Sequence, residues 1–255
     1  MFFDSHAHYD DSKFDGVRHE LLQNLKNHGV DYVVNASSSM ESAKRCIELT
    51  EKYDFIYASV GVHPHDVSGI NDNDLEILGN LTKIPKVVAI GEIGLDFYYD
   101  NSPRDVQREY FVKQLELAKE VDLPVIIHSR DAGQETFDIL KKTCVGKKGV
   151  IHCFSSGKEM AAEYVKMGYY IGIGGVITYP SAKKLVEVVK TVPIERILIE
   201  TDCPYLAPVP KKGQRNDSTL LVYIVDKIAE LKNMKFDEVA KITSENSQKL
   251  FFNKV

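Results

Sequence analysis

Short apolar runs alternate with amphipathic segments along the whole chain. The apolar runs are mostly continuous and rich in β-branched residues, as expected of parallel strands buried on both faces. Eight of them predict strands: MFF, YVVNA, IYASVGV, VVAIGEIG, PVIIH, GVIHCF, YIGIGG and ILIETD. Between them, apolar residues three and four positions apart predict helices, among them VRHELLQNLKNHG, RDVQREYFVKQLELAKEVDL, SAKKLVEVVKTV and a last one over residues 236–252.

Eight strands that alternate with helices predict an α/β fold, either a (β/α)8 barrel or a doubly wound sheet. No repeat, linker or low-complexity segment interrupts the 255 residues. Because α/β barrels often reach this length as one domain, we expect a single domain over residues 1–255. The glycines of GIGG at 172–175 do not form G-x-G-x-x-G after the first strand, which argues against a dinucleotide site.

Composition narrows the class of protein. The chain is 44% hydrophobic and 27% charged, with a net charge of −5, which argues against a basic nucleic-acid scaffold. It does not exclude an enzyme that acts on nucleic acid, because bound cations can invert the charge of a site. The four cysteines form no C-x-x-C pair, no secretory signal begins the chain, and no apolar run approaches the ~18 residues of a membrane span. We therefore expect a cytoplasmic protein without membrane contact.

Polar residues gather at the carboxyl ends of the predicted strands. They are His6, His8, His63, His65, Glu92, His128, His152 and Asp202. In a barrel these strand ends share one rim, where active sites are built. His19 and His28 lie on a predicted helix and are interpreted as surface residues. So many imidazoles and carboxylates at one rim predict a metal site.

The ligand count favours two ions. His6, His8, Glu92 and Asp202 would hold one, and His128 and His152 would complete a second that shares Glu92. Two divalent ions bring +4 and the two carboxylates −2, so the site would keep about +2, which suits an anionic phosphodiester. Nitrogen and oxygen ligands admit Mg²⁺, Mn²⁺ or Zn²⁺.

Three neighbouring residues have less defined roles. His63 is a candidate metal ligand, a support for a ligand or a substrate contact. His65, beside Pro64, is either a substrate contact or part of a turn. Strand alternation would turn Cys153 away from the rim, where it would act as a small buried hydrophobic residue.

Six segments, in order along the chain, resemble motifs of the TatD family of metal-dependent deoxyribonucleases: DSHAH, GVHPH, GEIGLDFYY, IHSRDA, IHCFS and TDCPYLAP. The resemblance implies a TIM barrel of the amidohydrolase type, divalent metal, and a hydrolase of nucleic acid that typically acts as a 3′→5′ exonuclease on single strands. It also implies His6 and His8 as the first metal pair, Glu92 as the bridge, His128 and His152 as ligands of the second ion, Asp202 as the acid after the eighth strand, and His63 near the substrate phosphate.

One segment departs from the family pattern. Where the family often has Arg-Asn-Glu-Pro, this chain has Arg215, Asn216, Asp217 and Ser218. The arginine and asparagine are retained, so a phosphate contact is still expected there. The proline is absent, but Asp217 or Ser218 can cap the following helix.

The substrate is expected to be DNA and possibly RNA. Cationic Lys211, Lys212 and Arg215, with Arg130, favour a polynucleotide, and the aromatic run at 97–99 could stack bases. In the expected mechanism Asp202 orients the attacking water or takes its proton, while Arg130 or Lys211 offsets developing charge. The alternatives are a hydrolase of a small ester or amide, an aminoacyl-tRNA deacylase, and an inactive nucleic-acid-binding protein. The oligomeric state is left open, with a monomer favoured.

Overall fold

The computed structural model describes residues 1–143 and 149–252. Its strands are β1 (Phe2–Ala7), β2 (Val30–Ala36), β3 (Ile56–Val60), β4 (Val87–Asp96), β5 (Val125–Arg130), β6 (Val150–Ile151), β7 (Tyr170–Ile173) and β8 (Ile197–Ile199). Its α-helices are α1 (Arg18–Asn24), α2 (Met40–Lys52), α3 (Asp72–Leu81), α4 (Arg104–Glu120), α5 (Gly133–Thr143), α6 (Lys158–Lys166), α7 (Lys183–Thr191), α8 (Leu221–Lys232) and α9 (Phe236–Phe252). Each predicted strand corresponds to an observed one, and the last helix has the predicted bounds.

The strands belong to one eight-stranded sheet in the order β1 to β8. The pairings are parallel; in one of them, Gly94 of β4 lies opposite His128 of β5. Strand, helix and next strand therefore follow one another along the sheet, which is the arrangement that the sequence pattern predicts.

Four strands end earlier than predicted; two of them are β3, which stops at Val60, and β7, which stops at Ile173. β6 stops at Ile151 and β8 at Ile199, so His152 and Asp202 follow their strands rather than lie on them. Beyond β8, the backbone N–H of Thr201 donates to the Asp4 carboxylate. The predicted helix over residues 17–29 is also shorter, since α1 passes into a 3₁₀ turn at Leu25–His28.

The chain divides into two compact units. The first comprises Met1–Asn35, Cys153–Lys166 and Tyr170–Val255. In it the end of β1 is bonded to the segment after β8: Asp202 N donates to His6 O at 2.9 Å, and His8 N to Cys203 O at 2.8 Å. These two bonds place the histidines of β1 beside Asp202.

The second unit comprises Ala36–His152 and Met167–Tyr169. Here α4 fixes two strand ends through buried glutamines one heptad apart. Gln107 accepts from Asp96 N at 2.9 Å and donates to Asp96 O at 3.1 Å. Gln114 bonds Val62 N and O in the same way, at 2.8 and 3.0 Å. Both side chains are fully buried, so each replaces the ladder bonds that the strand end lacks.

Four expectations concern the whole chain. The single domain over residues 1–255 and the monomeric state stay predictions. Within residues 1–143 and 149–252, no helix combines the length and apolarity that crossing a bilayer requires. The cytoplasmic location stays a prediction.

Candidate metal-binding clusters

The first unit holds a cluster of His6, His8 and Asp202, here called the His6 cluster. The Nε2 atoms of the two histidines lie 2.9 Å apart. Asp202 Oδ1 lies 3.3 Å from His8 Nε2 and 3.7 Å from His6 Nε2. Two imidazoles and one carboxylate therefore converge on one point, as the spacing of the two histidines predicts.

These separations fit a metal ion. With bonds of about 2.0–2.1 Å, the ligand atoms of a tetrahedral ion lie roughly 3.3 Å apart. The His6 side chain is fully buried, whereas those of His8 and Asp202 are 13% and 18% exposed. The donor set thus has three converging ligand atoms and an edge open to solvent, which is the pattern of a catalytic rather than a structural ion.

The backbone at Asp202 is held by the loop that follows it. Asp202 has a φ of 55°, in the left-handed region that aspartate tolerates better than most residues. Asn216 donates from Nδ2 to Thr201 O at 2.8 Å and to Tyr205 O at 2.7 Å. Asn216 is fully buried, so its amide donors are used to hold this turn. Its predicted contact with substrate stays a prediction.

Asp4 lies beneath the His6 cluster and joins β1 to the segment after β8. Its carboxylate accepts from Thr201 N at 2.9 Å, from Thr201 Oγ1 at 2.6 Å and from Ser218 Oγ at 2.6 Å. Burial raises the pKa of Asp4 to about 6, although the hydrogen bonds from Ser218 and Thr201 act to lower it. Ser218 also bonds the buried Tyr9 hydroxyl at 2.7 Å, so the network is enclosed.

The second unit holds a cluster around Glu92, here called the Glu92 cluster. Glu92 Oε1 lies 2.8 Å from His128 Nδ1, 3.6 Å from His152 Nε2 and 3.7 Å from His63 Nε2. The Glu92 side chain is only 4% exposed. His63, Glu92 and His128 form a group whose ligand atoms are close enough to bind one ion.

Asp96 supports this cluster from the far side of His128. Its Oδ2 lies 3.1 Å from His128 Nε2 and 3.0 Å from His65 Nε2. Burial acts to raise the pKa of Asp96, but the hydrogen bonds with His128, Tyr99 N and His65 hold it well below its ordinary value. Burial likewise acts to lower the pKa of His128, but hydrogen bonds to Asp96 and Glu92 raise it. Carboxylates on both sides of one ring stabilise its protonated form, so an ion bound by His128 would have to displace that proton.

The structure brings the predicted ligands together within each unit. His6, His8 and Asp202 meet in the first unit, and Glu92, His128, His152 and His63 meet in the second. His65 lies in the turn after β3, and its ring also lies beside Asp96. The bridging role that the resemblance implies for Glu92 stays a prediction.

Cys153 was expected to be a buried residue that strand alternation turns away from the rim, and this expectation is wrong. β6 ends two residues earlier, so no strand alternation governs this side chain, which is partly exposed. Its backbone is in the left-handed region with a φ of 45°, and its N–H donates to Glu200 Oε1 at 2.6 Å. Glu200 is fully buried, and Gly172 leaves room for it, since a Cβ there would lie 2.6 Å from Glu200 Oε2.

Sequence reasoning missed three buried carboxylates, Asp4, Asp96 and Glu200. Asp96 had a readable signal, because Glu92 and Asp96 are four residues apart on one strand and so share a face. Asp4 is likewise two residues before His6 on β1. The neighbouring histidines were selected from the sequence as candidate ligands, and these carboxylates were not considered.

Four cations surround the segment after Asp202 in the first unit. Three belong to residues 208–215, here called the basic loop: Lys211, Lys212 and Arg215. Arg215 donates to Lys13 O at 3.1 Å, and Lys13 Nζ lies 3.9 Å from the centre of the Tyr205 ring. Over the described residues, none of these four cations forms an ion pair. Asp217 caps the 3₁₀ turn that follows, as expected, by accepting from Thr219 N.

Comparison with known proteins places these clusters in context. The family model described as TatD related DNase matches residues 3–252. The metal-dependent hydrolase YabD of Bacillus subtilis is 45% identical, over 98% of this chain and 99% of its own. The crystal structure of the TatD homologue YjjV of Escherichia coli is 35% identical and covers 98% of each chain with a TM-score of 0.93. A TatD family hydrolase from Entamoeba histolytica is 26% identical, with a TM-score of 0.88 over 99% and 98% of the two chains.

These likenesses decide between the two predicted α/β folds. The match to YjjV along almost the whole of both chains confirms the (β/α)8 TIM barrel. A Saccharomyces cerevisiae amidohydrolase with a TM-score of 0.82 but 19% identity shares the fold alone. The matched relatives are metal-dependent hydrolases, which agrees with the imidazole and carboxylate sets in the two units.

Proposed function

The chain belongs to the family of TatD-related deoxyribonucleases and is a metal-dependent hydrolase, and from this premise we propose that it hydrolyses the phosphodiester bonds of DNA, as a 3′→5′ exonuclease that prefers single strands. RNA is a secondary substrate of the same chemistry. The proposal excludes a small neutral ester or amide as the main substrate.

The basic loop carries this proposal. Lys211, Lys212 and Arg215 follow Asp202 by nine to thirteen residues, and with Lys13 they form no ion pair in the described part of the chain. Lys212 and Arg215 are exposed, and each has its charge over an aromatic ring, Tyr179 at 4.3 Å and Phe14 at 5.4 Å. Cations held in place without a carboxylate partner suit phosphates that flank the reacting one. A small neutral substrate has no use for them.

Each cluster has a distinct part in the proposed reaction. We assign one divalent ion to the His6 cluster and one to the Glu92 cluster, from Mg²⁺, Mn²⁺ or Zn²⁺. Such ions lower the pKa of water and stabilise charge on the attacked phosphate. Asp202 orients the attacking water and accepts its proton, since its carboxylate has the solvent contact that proton release requires.

The remaining groups bind the strand and balance charge. The water oxygen bonds to phosphorus as the bond from phosphorus to the 3′ oxygen breaks, which releases a nucleoside 5′-monophosphate. Arg130 and Lys211 offset negative charge on the phosphate oxygens as it develops. His63 faces Glu92 at 3.7 Å and is assigned to the phosphate end of the substrate.

The test is a strand assay with metal-stripped and reloaded protein. Chelator should abolish hydrolysis, and Mg²⁺, Mn²⁺ or Zn²⁺ should restore it. A single strand labelled at its 5′ end should shorten stepwise, duplex should be cut more slowly, and a 3′-terminal phosphorothioate should slow the first step. Asp202→Asn is the matched variant, which should lose roughly 10²-fold in rate.

Three outcomes would contradict the proposal. Full activity in protein shown by elemental analysis to be metal-free would exclude the metal mechanism. Cleavage of esters or aminoacyl-tRNA at far higher kcat/KM than any strand would favour the hydrolase alternatives. Tight strand binding with no cleavage under any metal would indicate a binding protein.

A further inference from the structure

Two neighbouring tyrosines stand out on the loop after β4. The side chains of Tyr98 and Tyr99 are 58% and 54% exposed, among the largest exposures of any apolar side chain described. Phe97 beside them is different, because the guanidinium groups of Arg104 and Arg108 cover its ring at 4.5 and 5.3 Å. Two adjacent aromatic rings left in water are a feature that folding alone does not explain.

The two tyrosines are fixed to the Glu92 cluster by one carboxylate. Asp96 Oδ1 accepts from Tyr98 N at 3.0 Å and from Tyr99 N at 2.9 Å, while its Oδ2 faces His128. The Tyr99 ring also meets His65 edge to face, at 5.3 Å between centroids. The rings are therefore exposed but positioned, and they lie beside a candidate metal ligand.

Arg130 lies across both rings. Its guanidinium carbon is 4.1 Å from the centre of the Tyr98 ring and 4.7 Å from that of Tyr99. The rings are at 89° to each other, so they form a corner that holds the planar group. Within residues 1–143 and 149–252, Arg130 has no ion-pair partner. An exposed guanidinium with its charge free is suited to a phosphate, which it can contact through two parallel N–H donors.

We propose that Tyr98 and Arg130 form a nucleotide subsite for the strand, in which a base next to the cleaved linkage stacks on the Tyr98 ring and Arg130 binds the phosphate of that linkage. Tyr99 supports the other two side chains. This inference rests on the proposed nuclease function and adds the part of the substrate recognised there. A base can reach an aromatic face in this way only when it is unstacked, so the subsite favours single strands.

The test combines protein variants with altered strands. Tyr98→Ala removes the ring, Tyr98→Phe keeps it, and Tyr170→Ala is the control. Tyr170 is the first residue of β7, and the guanidinium carbon of Arg196 lies 5.2 Å from the centre of its ring. It therefore forms an arginine–tyrosine pair like that of Arg130 and Tyr98, but at the amino end of a strand. The probe is a fluorescent single strand protected by 3′ phosphorothioates, bound to metal-loaded protein. In companion strands one of the three nucleotides nearest the 3′ end is abasic.

Tyr98→Ala should weaken binding of the intact strand by roughly tenfold or more, the effect of losing one stacked base. One abasic position should weaken binding to the wild-type protein by a similar factor and have little further effect in Tyr98→Ala. Tyr98→Phe and Tyr170→Ala should bind the intact strand as the wild type does. Arg130→Ala should reduce the salt dependence of binding, which Arg130→Lys should largely retain.

The outcomes separate this inference from the function on which it rests. If the wild-type protein cleaves strands but Tyr98→Ala binds them normally, the subsite is wrong and the nuclease proposal stands. The subsite would also be wrong if, at every abasic position, the loss of affinity multiplied with the loss caused by Tyr98→Ala, because the ring and the base would then act independently. If the wild-type protein neither binds nor cleaves strands, both are overturned.

Discussion

The His6 cluster and the Glu92 cluster use the same types of side chain but place their carboxylates differently. In the first, Asp202 is 18% exposed at the edge, next to two imidazoles. In the second, Glu92 is 4% exposed at the centre, and three imidazoles face one of its oxygens. A carboxylate in contact with water can pass on a proton, whereas an enclosed one retains a cation. The two clusters therefore differ in how far their carboxylates contact solvent.

The supporting carboxylates differ in the same way. Asp96 acts directly on a ligand, because its oxygen lies 3.1 Å from the His128 ring. Asp4 acts through the chain, because it binds the backbone and hydroxyl of Thr201, the residue before Asp202. The Glu92 cluster is therefore set by contacts between side chains, and the His6 cluster by the alignment of two backbone segments.

The largest expected effect that tests this comparison is at Glu92. Glu92→Gln keeps the size of the side chain but removes the charge that the three histidines face. Activity should fall at least ~10²-fold, as when other charge-stabilising groups are removed, and the bound metal should decrease. Elemental analysis and turnover measure these two effects, and Glu116→Gln on the exposed face of α4 is the control. Normal metal content and turnover in Glu92→Gln would remove the distinction between the clusters.

A smaller effect is expected at Asp4. Asp4→Ala leaves the buried donors of Thr201 and Ser218 without their acceptor, so the free energy of unfolding should fall by at least about 2 kcal/mol. Ser218→Ala removes only one donor and should cost about 1 kcal/mol. Urea unfolding measures both, and activity should fall with the loss of alignment at Asp202. An unchanged unfolding midpoint in Asp4→Ala would show that the network does not hold the two segments together.

The smallest expected effect is in the basic loop, which adjoins the His6 cluster only along the chain. Changing Lys211, Lys212 and Arg215 to alanine should lower the slope of log affinity against log salt by about 2, at ~0.7 for each lost phosphate contact on a single strand. Equilibrium binding at several salt concentrations measures the slope. The control carries the same charge change in the last turns of three helices, at Lys52, Lys119 and Lys190. Equal slopes in the two triple variants would assign the loop a general electrostatic role.

Much of the fold, and the residues that meet in the two candidate clusters, could be predicted from the sequence. The period of the apolar positions identifies strands and helices, and parallel strands place their carboxyl ends on one edge, so histidines and acids at those ends are expected to meet. Strand ends were predicted less well: GVIHCF predicts a strand to Phe154, yet β6 stops at Ile151. The strand pattern does not show that the N–H of Cys153 donates to the Glu200 carboxylate, which lies 47 positions away in the chain.

By itself the sequence indicated the candidate side chains for the chemistry: the H-x-H pair of His6 and His8, the acids Glu92 and Asp202, and the imidazoles of His128 and His152. Only the tertiary structure decided how they are held. Asp4 accepts hydrogen bonds from Thr201 and Ser218, which lie 197 and 214 positions away in the chain. Arg130 contacts two tyrosines on the loop after β4. A local pattern records which residues are apolar or polar, whereas burial and hydrogen-bond partners arise when distant segments pack. For that reason Asp4 and Asp96 became recognisable as supports of the two clusters, and Glu200 as the acceptor for the Cys153 N–H, only in the folded chain.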